Sequence, residues 1–243
     1  MPQRVLFAGD SITKGQLGVG YVPLLVERFP KHTLVNLGQD GDTVLGIGGR
    51  TISHLKGDSN YDLLVIAAGH NDVILPAFKK RSPVFRAIAR QLARRGSAPA
   101  CDLDSFVSIY RSLLRSLQSW PRLGVVITTI SCVNEKATSE TAKARRMYND
   151  GIRSLASEMN VGLADVGAAF DQVLAGRECR DYFLPRPLAT AFFDTWKSRS
   201  APGADALSAK RELHLTIDGV HLNSHGARIY ADVISSLLIR DEW

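Results

Sequence analysis

Cysteine is scarce in this chain: Cys101, Cys132 and Cys179 are the only three among 243 residues. An odd, sparse set without metal-ligand spacing argues against a disulfide framework or a thiolate metal cluster. The expectation is free buried thiols in a reducing compartment. Long apolar runs are missing too. No stretch approaches the roughly 20 residues of a membrane-spanning helix, so no stable membrane insertion is expected. Internal repeats, low-complexity tracts and composition shifts are absent, and 1–243 reads as a single domain long enough to bury a substantial core. Met1-Pro2-Gln3-Arg4 runs straight into the first apolar segment, which leaves no room for a secretory signal. The expected location is therefore cytoplasmic, although a mature secreted form would begin the same way.

What is present is ordinary for a globular protein: 45% hydrophobic and 22% charged residues, with a net charge of +6. Much of the positive excess lies between Lys79 and Arg95. Arg86, Arg90 and Arg94 recur at helical spacing, with Phe85, Ile88, Ala89 and Leu92 mostly on the other face. An anion-seeking or membrane-surface helix would look like this. So would a solvated face over a packed apolar stripe, which is the better reading because charged faces are common on surface helices. No aromatics are interleaved with the basic run, so a nucleic-acid partner is not expected.

The chain alternates between strand and helix patterns. Val5–Ala8, Leu34–Leu37, Leu63–Ala68, Val125–Ile130 and Gly162–Val166 are short apolar runs, the first three ending in glycine. Runs that are apolar without alternation are buried on both faces, as in a parallel sheet covered by helices. Helical patterns occupy Tyr21–Arg28, Leu103–Ser119, Ser139–Met159 and Ser224–Leu238. The fold class is α/β, a doubly wound sandwich whose ligands bind beyond the carboxyl ends of the strands. Two segments read as irregular, 76–100 and 176–210. Tyr182, Phe183, Leu184, Phe192, Phe193 and Trp196 of the second form an acyl or leaving-group pocket, a satellite core, or a contact between copies in a homo-oligomer.

Four motifs follow the strands or close the chain: Gly9-Asp10-Ser11-Ile12, Asn36 to Thr43, Gly69-His70-Asn71-Asp72 and Asp218-Gly219-Val220-His221. A serine hydroxyl attacks only when a base takes its proton. Ser11 is the candidate nucleophile, His221 the base, and Asp218 the carboxylate that holds its tautomer. Gly41, Asn71 and the Ser11 backbone N–H are candidate oxyanion donors. Taken singly, Ser11 is a helix cap, Gly41 turn geometry, Asn71 a loop brace, and Asp218 with His221 a turn before a helix capped by Asn223. Taken together, catalysis explains them better. Activity should then fall as His221 protonates, near pH 6.5 unless its surroundings shift it.

These motifs make the chain similar to the SGNH hydrolases, the GDSL-type lipases and esterases. The resemblance runs from Phe7 to Asn223, with isoleucine in place of leucine at position 12. It implies a three-layer, flavodoxin-like α/β/α sandwich on five parallel strands and ester hydrolysis through an acyl-serine, with no cofactor or metal. The implied partner is a small-molecule ester. Short-chain or acetyl esters, including those on carbohydrates, suit a chain without a long apolar lid. A lysophospholipase or thioesterase is the alternative, with the basic helix meeting a phosphate headgroup or acyl carrier, and acyl transfer to a sugar is a variant. A non-catalytic carbohydrate-binding domain would have no use for Ser11, Asp218 and His221 together. A flavodoxin-like electron carrier is set aside, because the loop after the first strand is not phosphate-shaped.

Overall fold

Five apolar segments pair as one parallel sheet in the computed structural model, which describes residues 2–81, 83–96, 98–184 and 194–239. The strands are β1 (Arg4–Gly9), β2 (Thr33–Gly38), β3 (Leu63–Ala67), β4 (Gly124–Thr128) and β5 (Gly162–Ala164), in the order β2-β1-β3-β4-β5. Every pair is parallel, with Gly9 opposite Gly38 on one side and Ala67 on the other. β3 is buried along its whole length, which explains its unbroken apolar run.

Helices fill the connections: α1 (Ser11–Lys14), α2 (Tyr21–Arg28), α3 (Val44–Gly57), α4 (His70–Arg81), α5 (Pro83–Arg94), α6 (Leu103–Leu117), α7 (Glu140–Met159) and α8 (Val166–Leu174). After a helical turn at Thr195–Lys197 come α9 (Ala201–Lys210) and α10 (Ser224–Leu238). α10 packs on α2 and α8, while α6 packs on α3 and α7, giving helical layers against the sheet. Tyr21 of α2 stacks on Tyr230 of α10 with ring centroids 4.0 Å apart. Both are fully buried in the core, so the contact seals the joint between those helices.

The structure corrects several sequence expectations. Residues 76–100 hold the end of α4 and all of α5, although Pro76 lies inside α4. One proline removes a single backbone bond, and Pro83 opens α5 at a position where its missing N–H costs nothing. Arg86, Arg90 and Arg94 are exposed on α5, as a solvated face requires. The 176–210 segment includes α9, capped by Ser200, which accepts from Gly203 N at 3.3 Å. Strand β5 ends at Ala164, because the Asp165 side chain caps α8 and starts a helix at Val166. Of the three free thiols only Cys132 is buried; Cys101 is exposed and Cys179 half-buried. Among the described residues no helix is long and apolar enough to cross a membrane.

Candidate active site

In this strand order the chain leaves β1 and β3 toward different neighbours, so a crevice opens between their carboxyl ends. Ser11 follows β1 and Asn71 follows β3. Asp10 is the true cap of α1: its Oδ1 accepts from Ile12 N at 2.9 Å, leaving Ser11 as the first helical residue with its hydroxyl free for other work. The capping explanation of Ser11 is thereby removed.

Ser11 Oγ lies 3.0 Å from His221 Nε2, and His221 Nδ1 lies 2.7 Å from Asp218 Oδ2. A carboxylate at Nδ1 demands the Nδ1–H tautomer, so the lone pair sits on Nε2, facing the serine O–H. The other oxygen of Asp218 accepts from Val220 N at 3.0 Å and His221 N at 2.8 Å. Asp218 is fully buried, and burial favours its neutral form. The charge and hydrogen bond of His221 and the two backbone donors outweigh that and hold the carboxyl below its ordinary value. Burial likewise disfavours the His221 cation, but the Asp218 charge and hydrogen bond, with Asp10 and Asp40, raise it above 6.5.

Gly41 adopts φ of +72°, a conformation that a side chain would strain, on the loop after β2. Asn71 Nδ2 donates to Asp42 O at 2.8 Å, which ties α4 to that loop; its second N–H has no partner among the described residues. Ser11, Gly41, Asn71 and His221 all line one cavity of about 330 Å³. Ile74, Leu75 and Phe78 of α4, with Leu184 and Val220, give it an apolar wall, and Gln16, Asp40 and Thr195 a polar rim. Leu184 and Thr195 bring the 176–210 segment to the site. Phe183 packs 6.0 Å from Phe78, Tyr182 sits under the Arg211 guanidinium and Trp196 is exposed; Phe192 and Phe193 lie outside the described residues.

Several supporting residues escaped the sequence reading. Arg50 of α3 donates to Leu37 O at 3.0 Å and Gly9 O at 2.9 Å and pairs with Asp42, knitting the ends of β1 and β2 to the Gly41 loop. His70 bridges Asp10 Oδ2 at 3.1 Å and Ser131 Oγ at 3.0 Å, bracing the residue before Ser11. Only the Asp10, Asp42 and His70 positions carried a signal, as members of the motifs.

Asp72 accepts from Val44 N at 2.9 Å and Ala100 N at 3.2 Å. Burial outweighs those hydrogen bonds and pushes its carboxyl up to about 6. Folding therefore takes up a proton at Asp72 between roughly pH 4 and 6, and this share of stability is lost as pH rises through 6. The stability difference between wild type and Asp72→Asn should favour wild type by about 1 kcal/mol more at pH 5 than at pH 7. Denaturant melts at both pH values measure it, and an equal difference at both would refute the raised carboxyl.

The sequence profile described as "GDSL-like Lipase/Acylhydrolase family" matches residues 7–229. No curated protein matches the chain at sequence level. Among solved structures, the acetyl xylan esterase AlAXEase is similar at 22% identity and a TM-score of 0.64, over 97% of this chain and 100% of that one. A catalytic mutant of an acetylxylan esterase from Geobacillus stearothermophilus gives 20% identity and a TM-score of 0.63, over 98% and 95%. An alpha/beta hydrolase from the metagenome of Lake Arreo, Spain, gives 21% and 0.62, over 96% and 94%. At these identities the likeness is one of fold.

Proposed function

Because the chain belongs to the GDSL-like lipase/acylhydrolase family and so is a carboxylic ester hydrolase, we propose that it cleaves acetyl and other short-chain esters, carried on carbohydrate, through an acyl-Ser11 intermediate. The observation that carries this reading is the Ser11–His221–Asp218 chain of 3.0 and 2.7 Å contacts opening on a small, mostly apolar cavity.

As Ser11 Oγ bonds to the ester carbon, its proton passes to His221 Nε2. The carbonyl oxygen becomes an oxyanion, held by the N–H groups of Ser11 and Gly41 and the free N–H of Asn71, each worth on the order of 3 kcal/mol. His221 returns the proton to the departing alcohol oxygen. Water then repeats the cycle on the acyl-serine, releasing the acid. If a sugar hydroxyl outruns water at this second step, the same chemistry is acyl transfer.

The cavity of about 330 Å³ is at the small end of the usual range for small-molecule sites, about 300–1,000 Å³. An acetyl group and part of a sugar fill it, whereas a long acyl chain would extend into solvent. The polar rim suits a hydroxylated alcohol, and two of the structural neighbours are themselves acetylxylan esterases. The unpaired cysteines support work in the cytoplasm.

Hydrolysis of p-nitrophenyl esters from acetate to palmitate tests the reading. The rate constant kcat/KM should be highest for acetate and fall steadily with chain length. A maximum at long chains would replace it with a lipid or thioester substrate, and bring the exposed arginines of α5 into the account.

A further inference from the structure

The loop that carries Asp218 and His221 has its own foundation, outside the reacting groups. Glu135, in the loop after β4, is 2% exposed. Its Oε1 accepts from Leu215 N at 2.9 Å, Thr216 N at 2.8 Å and Thr216 Oγ1 at 2.7 Å, and its Oε2 from His214 N at 2.7 Å. Thr216 Oγ1 passes the connection on by accepting from Gly219 N at 3.1 Å. The neighbouring Asn134 N donates to Gly219 O at 2.7 Å. Gly219 itself needs a φ of +90°, and a side chain there would strike the Tyr182 carbonyl. Ile217 N closes the loop by donating to His221 O at 2.8 Å.

A buried carboxylate without a cation is costly unless donors surround it. Among the described residues no ion pair involves Glu135, so the backbone of 214–216 and the Thr216 hydroxyl supply its compensation. The charge is thus tied to one backbone conformation. Cys179 and His214 lie beside the same carboxylate, with side-chain ligand atoms within 4.8 Å of one another. With four donors already on it, that carboxylate reads as an anchor rather than a cation ligand.

We propose that Glu135 is a positioning residue for the catalytic relay: it fixes the backbone of His214–Thr216, and through it the alignment of Asp218 with His221. The proposal rests on the reading of Ser11, His221 and Asp218 given above. The charged groups facing His221 are Asp218 on its own loop and Asp10 and Asp40 from the loops after β1 and β2. Glu135 acts on it through backbone geometry.

The test compares wild type, Glu135→Gln and Glu135→Ala in p-nitrophenyl acetate hydrolysis across pH, at a temperature well below each melt. The Gln side chain keeps an acceptor for Leu215 and Thr216 but turns an N–H₂ toward His214 N–H, so it falls between the others. For Gln, kcat should drop about tenfold and for Ala about a hundredfold, with KM within about threefold of wild type. The acid midpoint of kcat/KM should also move down toward 6.5, because a looser Asp218 supports the His221 cation less. A brace that only stabilised the fold would lower the melting temperature and leave kcat and the midpoint unchanged, and that outcome overturns the proposal. If Glu135→Ala does not fold, Glu135→Gln decides alone. Ser11→Ala serves as the control: if it keeps activity, the reading of the site fails, whatever the Glu135 variants do.

Discussion

Ser11→Ala should lower kcat on p-nitrophenyl acetate by about 10⁴-fold or more while the fold stays intact. In the proposed mechanism the hydroxyl forms the acyl bond, and among the described residues Ser11 Oγ is the hydrogen-bond partner of His221 Nε2. What would remain is oxyanion stabilisation and substrate positioning, which act without a covalent step. Stability should hardly change, since the cap of α1 is the Asp10 carboxylate and alanine suits the first turn of a helix. The melting temperature should stay within about 2 °C of wild type. Kinetics and a thermal melt on the same preparation check both halves. Activity within tenfold of wild type would remove Ser11 as nucleophile, and a collapsed melt would mean the serine holds the fold.

The sheet and the clustering of the candidate site residues were legible in the sequence because each depends on local rules. Buried parallel strands must be continuously apolar, and β1, β2 and β3 each end at a motif that the crevice geometry explains. Helices α2 and α10 followed from amphipathic spacing, and Asn223 caps α10 as its position suggested. α3 was invisible because Gly46, Gly48 and Gly49 lower helix propensity, yet Gly48 lets the helix lie against Leu113. α4 was hidden by Pro76 and by a motif that reads as a loop. The supporting shell was not legible for a different reason. Arg50 and Glu135 hold backbone groups far away in sequence, and only the folded chain brings them there. Nothing about an arginine in a helix or a glutamate in a loop announces such partners.

Asp218→Asn should be nearly as damaging, and the geometry says why. Oδ1 of Asp218 accepts from two backbone N–H groups, Val220 and His221. In the Asn variant the carbonyl oxygen must take that place, because an N–H₂ there would face two donors. The amide nitrogen then occupies the position of Oδ2, pointing at His221 Nδ1. The imidazole answers by moving its proton to Nε2, where it can no longer receive the proton of Ser11. The loop survives and the base is lost. kcat should fall by about 10³- to 10⁴-fold, the scale seen when the carboxylate of a serine hydrolase triad is neutralised. The pH profile supplies an independent check. In wild type, Asp218 raises His221, so kcat/KM should fall as pH drops through a midpoint above 6.5. With the carboxylate gone the desolvation of His221 prevails, and the midpoint of the residual activity should move down. A loss smaller than tenfold at pH 8, with the wild-type midpoint kept, would show that Asp218 does not orient the base.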